Sequence, residues 1–204
     1  MEDRASEDRQ PDEWKELRIS VRPETAGDAE FVLALYLSVR WEELAVTNWS
    51  EASKQAFLAS QFHTQSRQYA GHYPCLERWI VEVASSPAGR LYLLCAEREI
   101  RLVDISLLPE WRNQGIGSAL LKQLAREADA FGRPLRLRVE QHNPALRLYC
   151  RLGFQEQDAS DPYWALERRV RRLGFPIERK ALLGRRFTYI IQLVGIQYAI
   201  RQRQ

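Results

Sequence analysis

Apolar and polar positions in the first third of the chain change from one period to another. Residues 17–22 alternate between the two kinds of side chain, which predicts a β-strand. Residues 24–39 then place apolar side chains at helical spacing, with Phe31 and Leu35 on one face, and residues 50–70 form a second stretch of this kind. We therefore predict one strand followed by two helices.

The period returns to that of strands in the middle of the chain. Residues 78–83 and 90–96 are mostly apolar, and each includes an aromatic side chain. The residues between them, 85–89, include serine, proline and glycine and predict the loop of a hairpin. A further strand is predicted over residues 100–108.

The last part of the predicted domain alternates helices with strands. Ile116, Leu120 and Leu124 are four residues apart within a predicted helix over residues 113–130, and this spacing is typical of a helix that packs on a sheet. Strands over residues 135–139 and 163–169 complete the pattern. The order of elements predicts an α/β fold.

Residues 109–118 connect a predicted strand to a helix and contain Gly115 and Gly117. The first N–H groups of a helix have no partners within it, so a glycine loop at this place can bind a phosphate. A Walker loop is excluded because the lysine that it needs is absent, and a dinucleotide fingerprint is excluded because Leu120 occupies the third glycine position. The pattern that remains is Arg112-x-x-Gly115-x-Gly117.

A second motif runs from Asn143 to Phe154. Asn143 is expected to cap a helix that Pro144 begins and Gly153 ends, and the helix includes Tyr149. The two motifs, in this order, resemble the acyl-CoA loop and the Asn…Leu-Tyr-x-x-x-Gly-Phe signature of the GNAT superfamily of N-acetyltransferases. The resemblance implies the acyl-CoA N-acyltransferase fold over residues 17–170, with a mixed, mostly antiparallel sheet flanked by helices.

The resemblance also implies which residues bind acetyl-CoA, the co-substrate. The end of the 100–108 strand is expected to pair with the pantetheine arm and to direct the Leu107 N–H at the developing oxyanion. Main-chain N–H groups of the following loop are expected to hold the pyrophosphate, and Asn143 the cofactor arm. The implied cofactor-binding residues are Ile105, Ser106, Leu107, Arg112, Asn113, Gln114, Gly115, Ile116, Gly117, Ser118 and Asn143.

Three residues are candidates for proton transfer. By the resemblance Tyr149 is the general acid that stabilises the thiolate, with a buried core tyrosine as the alternative. Either Asp104, on the predicted central strand, or Glu140, at the end of the next one, is a candidate base that accepts the proton of the amine. Asp104 matches the aspartate of a Glu-Asp pair in polyamine acetyltransferases, but Val103 replaces the glutamate, which argues against a polyamine-type mechanism.

The acceptor site in this fold is built mostly by the first two helices and their connection. Arg40, Glu43 and Tyr73 are the candidate substrate-binding residues, and the two charges suit an amine that also carries a carboxylate. A solvated helix end is an equal alternative. The histidines show no metal-ligand spacing, so we expect no metal site.

Composition also predicts the cellular compartment and the character of the segments on either side of the predicted domain. The first ten residues lack an apolar run, so no signal peptide is expected, and three scattered cysteines indicate reduced thiols; together these predict a cytoplasmic protein. Residues 1–16 carry seven acidic and three basic side chains and are expected to form a disordered arm.

The C-terminal extension, residues 171–204, follows the predicted domain. Residues 168–204 carry ten basic side chains and one acidic one, yet 187–200 are apolar. The favoured interpretation is an element that packs on the domain or on a second subunit in a homodimer. A basic surface for a membrane or nucleic acid is less favoured, a segment without an evolved role is also open, and no membrane span is expected.

Two functions are compatible with these motifs. The first is direct transfer of an acetyl group from acetyl-CoA to a primary amine of a small molecule or peptide, in a ternary complex. The second is a non-catalytic acyl-CoA-binding module for regulation or interaction on the same fold.

Overall fold

A mixed, mostly antiparallel sheet of seven strands, flanked by helices, forms the framework, as predicted. The computed structural model describes residues 11–160 and 162–171 of the 204-residue chain. Residues 1–10 of the expected arm and nearly all of the C-terminal extension lie outside the described residues. The described strands are β1 (Ile19–Pro23), β2 (Leu76–Val83), β3 (Ser86–Cys95), β4 (Ile100–Leu107), β5 (Leu135–Glu140), β6 (Gln155–Ser160) and β7 (Tyr163–Arg168).

Five α-helices accompany these strands in the described residues: α1 (Asp12–Glu16), α2 (Ala29–Arg40), α3 (Glu51–His72), α4 (Ile116–Phe131) and α5 (Leu146–Arg151). Contacts divide the chain into two units. The first unit consists of residues 20–95 and 102–117, and the second comprises the remaining described residues.

The first unit contains consecutive neighbours β1, β2, β3 and β4 of the sheet. The β2–β3 hairpin turns at Ala84 and Ser85, which have φ values of 51° and 65°. Left-handed backbone at both central residues is typical of a two-residue turn that matches the twist of its strands. The predicted loop over residues 85–89 is therefore too long, and β3 already begins at Ser86.

The second unit contains β5, β7 and β6 in that spatial order, and the pairs β5–β7 and β7–β6 are antiparallel. The sequence pattern does not predict strand β6. Its residues, Gln155–Ser160, are polar and have no alternation to reveal it. The antiparallel pairing with β7 supplies the backbone hydrogen bonds that hold it.

Helix α4 shows how sequence determines an element in this fold. Ile116, Leu120 and Leu124 are all at most 2% exposed, as their spacing predicts. The helix begins at Ile116 instead of residue 113, because Asn113 and Gly115 have positive φ angles and cannot lie in a right-handed helix. Gly132, with a φ of 65°, ends it.

The N-terminal residues of the second unit correct the predicted arm. Residues 12–16 form α1, in which Trp14 is 2% exposed and donates from Nε1 to the carbonyl of Ala119 at 3.3 Å. Lys122 also pairs with Glu13. The folded part thus begins before residue 17, because a large aromatic side chain is buried there.

Candidate active site

The loop between β4 and α4 changes backbone handedness. Residues 109–111 form a short 3-10 helix, and Asn113 and Gly115 then adopt φ values of 59° and 85°. The N-terminus of α4, directly after this loop, adds positive potential. Residues 113–115 are exposed. The loop therefore presents exposed backbone directly before the N-terminus of a helix.

Ile116, Gly117 and Ser118 follow as the first turn of α4. Ile116 is buried and directs its side chain into the core, while Gly117 and Ser118 are half-buried. If Ile116 binds an anion, it therefore does so through its main-chain N–H and not through its side chain. Gln114 donates from its side chain to the carbonyl of Glu110 and closes the loop on itself.

Arg112 links this loop to the strand before it. Its Nε donates to the carbonyl oxygen of Leu107 at 3.0 Å. Its Nη2 is buried and has no hydrogen-bond partner among the described residues. Buried donors are nearly always paired in folded proteins, so this N–H is suited to a ligand oxygen.

The end of β4 also lies unusually close to β3. A Cβ atom added at Gly89 would lie 2.2 Å from the carbonyl oxygen of Ser106 and 2.6 Å from Cδ2 of Leu107. The N–H of Leu108 donates to the carbonyl of Ala88 at 2.9 Å. Only glycine fits at residue 89, and its neighbours determine where the main chain of Leu107 lies.

Asp104 is engaged by a buried arginine. Arg90, whose side chain is 3% exposed, donates from Nη2 to Oδ2 at 2.7 Å and from Nε to Oδ1 at 3.2 Å. The Ser106 hydroxyl donates to Oδ1 at 2.8 Å, and Arg90 also donates to Oε1 of Gln65 at 3.2 Å. An ionised carboxylate has about four lone-pair positions, and three of those of Asp104 are used.

Tyrosines surround this ion pair. The guanidinium of Arg90 lies 4.9 Å from the ring centre of Tyr92, whose hydroxyl donates to Glu24. Burial raises the pKa of Tyr92, and the bond to Glu24 raises it further. Burial likewise raises the pKa values of Tyr69 and Tyr36, with Asp104 adding to both and Arg90 opposing. All three tyrosines are neutral at physiological pH. Their rings provide apolar surface, and their hydroxyl groups are available for hydrogen bonds.

The predicted substrate residues fall into two groups in the first unit. Arg40 and Glu43 pair with each other at 3.2 Å, and Arg40 lies over the ring of Tyr36. Tyr73 stands with its ring centre 6.1 Å from that of Tyr69. Arg40 lowers the pKa of Tyr69 and Tyr73 raises it, so the charges of both residues are felt at the Tyr69 hydroxyl.

The second motif lies in the second unit. The side-chain Oδ1 of Asn143 accepts the N–H of Ala145 at 2.9 Å. The main-chain carbonyl of Asn143 accepts the N–H of Leu146. Asn143 therefore caps the turn that leads into α5, but the helix itself begins at Leu146, three residues later, with Ala145 as its N-cap. The predictions that Asn143 caps the helix and that Pro144 begins it are each wrong by two residues. Gly153 adopts the predicted left-handed conformation, with a φ of 88°.

Tyr149 is 6% exposed, and its ring meets that of Phe154 edge-on at 5.6 Å. Glu140, the last residue of β5, is half-buried and pairs in register with Tyr163. Tyr149 and Glu140, two of the three candidates for proton transfer, are thus placed by regular elements of the second unit.

The structure joins some predicted residues directly and adds others. It brings together Asp104 with Ser106, Leu107 with Arg112, and Arg40 with Glu43, while Ile105 is half-buried in β4. Sequence reasoning misses the residues around Asp104. A charge at the start of the apolar run 90–96 is the available signal for Arg90, and Tyr69 lies in the predicted acceptor region. The others have no signal: Glu24, Tyr36, Gln65 and Tyr92.

No group of three or more His, Cys, Asp or Glu side chains within residues 11–160 and 162–171 is placed to hold a metal ion. Over the same ranges, no helix combines the length and the apolar content that crossing a membrane needs.

Solved structures of similar fold include the PaiA N-acetyltransferase of Thermoplasma acidophilum in complex with coenzyme A, with a TM-score of 0.56 at 19% identity over 74% of this chain and 98% of that one. An acetyltransferase of Thermus thermophilus gives 0.57 at 19% identity over 76% and 98%. The ribosomal-protein-S18-alanine N-acetyltransferase of Escherichia coli gives 0.51 at 20% identity over 78% and 98%. At these identities the likeness establishes the fold.

Residues 76–156, which contain both sequence motifs, match the family model described as an acetyltransferase (GNAT) domain. No curated protein sequence matches the chain. The two motifs, the fold and the family match agree on a GNAT acetyltransferase domain that includes residues 76–156.

Proposed function

We propose that this protein transfers an acetyl group from acetyl-CoA directly to a primary amine of a small molecule or peptide. The observation that carries the proposal is the loop after β4, where Asn113 and Gly115 expose N–H groups before a 16-residue helix and Arg112 presents a buried, unpartnered N–H. The pyrophosphate of CoA suits these donors. The similar Thermoplasma structure contains coenzyme A.

The reaction requires that one proton leave the amine and one reach the sulfur. The neutral amine attacks the thioester carbonyl, the carbon–sulfur bond breaks, and CoA leaves as a thiolate that is then protonated. We assign the Leu107 N–H to the oxyanion, by the resemblance, because a fixed donor is most effective where charge develops. Asn143 is assigned to the cofactor arm on the same basis.

Tyr149 is the proposed general acid. An ordinary phenol has a pKa of ~10 and an ordinary thiol one of ~8.5, so complete proton transfer to the thiolate runs uphill by roughly 2 kcal/mol. We therefore assign Tyr149 chiefly to hydrogen bonding of the thiolate. Its position within α5, packed on Phe154, supports a fixed hydroxyl.

Glu140 is the proposed base, acting alone or through water. Asp104 is the other carboxylate that the sequence offers, but it is bonded to Arg90 through both oxygens and to Ser106 through one. A base needs an accessible lone pair, and most of those of Asp104 are occupied. The substrate residues Arg40, Glu43 and Tyr73 are proposed to bind the acceptor.

The test measures release of CoA thiol from acetyl-CoA in the presence of a panel of amines: amino acids, polyamines, aryl-alkyl amines and peptides with free N-termini. We expect amine-dependent release by the wild-type protein and a fall in kcat of about 100-fold in Tyr149→Phe. Tyr163→Phe, at a tyrosine that is 41% exposed, is the matched control and should retain kcat. Binding of acetyl-CoA without release for any amine would instead favour the non-catalytic module.

A further inference from the structure

Three consecutive residues of β3 hold the end of β4. The Ala88 carbonyl accepts the N–H of Leu108, Gly89 allows the Ser106 carbonyl to approach, and Arg90 binds the Asp104 carboxylate. Each contact is of a different kind, and together they span β4 from residue 104 to the residue after its end. We name residues 88–90 the β3 clamp.

Arg90 is the charged part of the clamp and is almost completely buried. Its side chain is 3% exposed and that of Asp104 is 13% exposed. A buried ion pair adds little net stability compared with apolar residues of similar volume, because both charges lose their hydration. What a bidentate pair supplies is fixed geometry, since two parallel hydrogen bonds set both distance and orientation.

The fixed geometry extends along β4 toward Leu107. Asp104 holds the Ser106 hydroxyl, and the Ser106 carbonyl lies against Gly89. The peptide group that carries the Leu107 N–H also contains that Ser106 carbonyl, so its orientation depends on both contacts. On the opposite side, Arg112 holds the Leu107 carbonyl.

We propose that Arg90 is a positioning residue for acetyl transfer, which acts through Asp104 and Ser106 to aim the Leu107 N–H at the thioester carbonyl. This inference rests on the proposed function, in which that N–H stabilises the oxyanion. An oxyanion donor that is misplaced loses most of its effect, while the pyrophosphate contacts at the α4 loop remain. Loss of the clamp should therefore lower kcat far more than the affinity for acetyl-CoA.

The test replaces the whole ion pair, in Arg90→Met with Asp104→Leu, so that no unpaired charge is left buried. The matched control is Arg168→Met with Asp129→Leu. That pair is also buried and bidentate, with side chains 6% and 8% exposed and a distance of 2.7 Å, but it joins β7 to α4 within the second unit. We expect similar changes in Tm for both double variants.

The two double variants should differ in catalysis. For the clamp variant we expect kcat to fall about 100-fold, the lower end of the range measured for loss of an oxyanion donor, with the Kd for acetyl-CoA changed less than about threefold. The control should retain kcat. Equal losses of kcat in both variants, or a clamp variant within threefold of wild type, would overturn the proposal.

A second readout does not need turnover. The amide resonance of Leu107 should shift between the CoA and acetyl-CoA complexes of the wild-type and control proteins, and this difference should vanish in the clamp variant. If no amine is acetylated but the shift behaves in this way, the proposed function fails, and what stands is only that the clamp orients the Leu107 N–H toward the bound thioester. A shift that persists in the clamp variant refutes the clamp whatever the activity.

Discussion

The guanidinium of Arg90 binds both oxygens of the Asp104 carboxylate, with Nη2 2.7 Å from Oδ2 and Nε 3.2 Å from Oδ1. This ion pair gives a prediction about the base. Glu140→Gln should lower kcat/KM by about 100-fold or more, since a positioned base contributes on that scale. Asp104→Asn keeps one acceptor for Arg90 but breaks the bidentate pair, so it should lower kcat/KM no more than the clamp variant does, by an amount that does not depend on pH.

The measurement is the pH dependence of the variant-to-wild-type ratio of kcat/KM, per folded protein, because this ratio cancels the ionisation of the acceptor. The ratio should change across the acid limb for Glu140→Gln and stay constant for Asp104→Asn. The opposite pattern would assign the base to Asp104.

The left-handed glycine in the loop before α4 gives a second prediction. Gly115→Ala should raise the Kd for acetyl-CoA at least about tenfold, because alanine disfavours the φ of 85° that arranges the N–H groups. Gly132→Ala is the matched control: its φ of 65° imposes a similar strain, of about 1–2 kcal/mol, at the other end of α4. Calorimetric titration checks both, and equal affinities in the two variants would count against the loop as the anion site.

Asp28 gives a prediction about pH and stability. Its carboxylate accepts two bonds from Arg22, at 2.6 and 2.8 Å, and two from Thr25, and the bonds to Arg22 hold its pKa well below the ordinary carboxyl value. A depressed pKa contributes stability that is present above the unfolded value of ~3.9 and is lost as pH falls through the folded one.

Asp28→Asn should therefore lower the free energy of unfolding by about 1–3 kcal/mol at pH 7, and the difference from wild type should shrink below pH ~4. Urea unfolding at pH 7 and at a pH below ~4 provides the measurement. Glu30→Gln removes an exposed charge near the start of α2 and should cost less than about 1 kcal/mol. A difference that stays constant with pH would contradict this role of Asp28.

Trp14 tests where folded structure begins. Trp14→Ala should lower the free energy of unfolding by about 3–5 kcal/mol, because it leaves a cavity where a fully buried indole packs. Trp49→Ala, at a residue 48% exposed that meets Phe57 edge-on, should cost about 1 kcal/mol. Equal, small effects would indicate that α1 contributes little to stability.

The elements that the sequence predicts well are those whose burial is periodic. Ile116, Leu120 and Leu124 repeat every four residues, so the core face of α4 is evident from local spacing alone. Strand β6 is missed because its polar side chains give no such signal. The β2–β3 turn is misplaced because Ala84 and Ser85 are not the glycine and asparagine that usually adopt positive φ.

The residues of the candidate site likewise fall into those that the sequence reveals and those that it does not. Gly115, Gly153 and Asn143 are evident because each performs a local backbone task that few residue types can perform. The surroundings of Asp104 are not evident, since Arg90 reaches Asp104, and Gln65 reaches Arg90, only after separate strands and a helix have packed. A sequence shows that a carboxylate is present, but its partners are set by contacts between distant residues.

The Arg112–Leu107 hydrogen bond has a consequence for how the cofactor is recognised. One side chain connects the loop proposed for the pyrophosphate to Leu107, the residue whose N–H is proposed for the thioester, so occupation of either end should help to organise the other. The two halves of acetyl-CoA should then bind with positive cooperativity, and the affinity of the intact molecule should exceed what separate fragments predict. The affinity for acetyl-CoA would then depend on the Arg112–Leu107 hydrogen bond as well as on the contacts at the pyrophosphate and at the thioester.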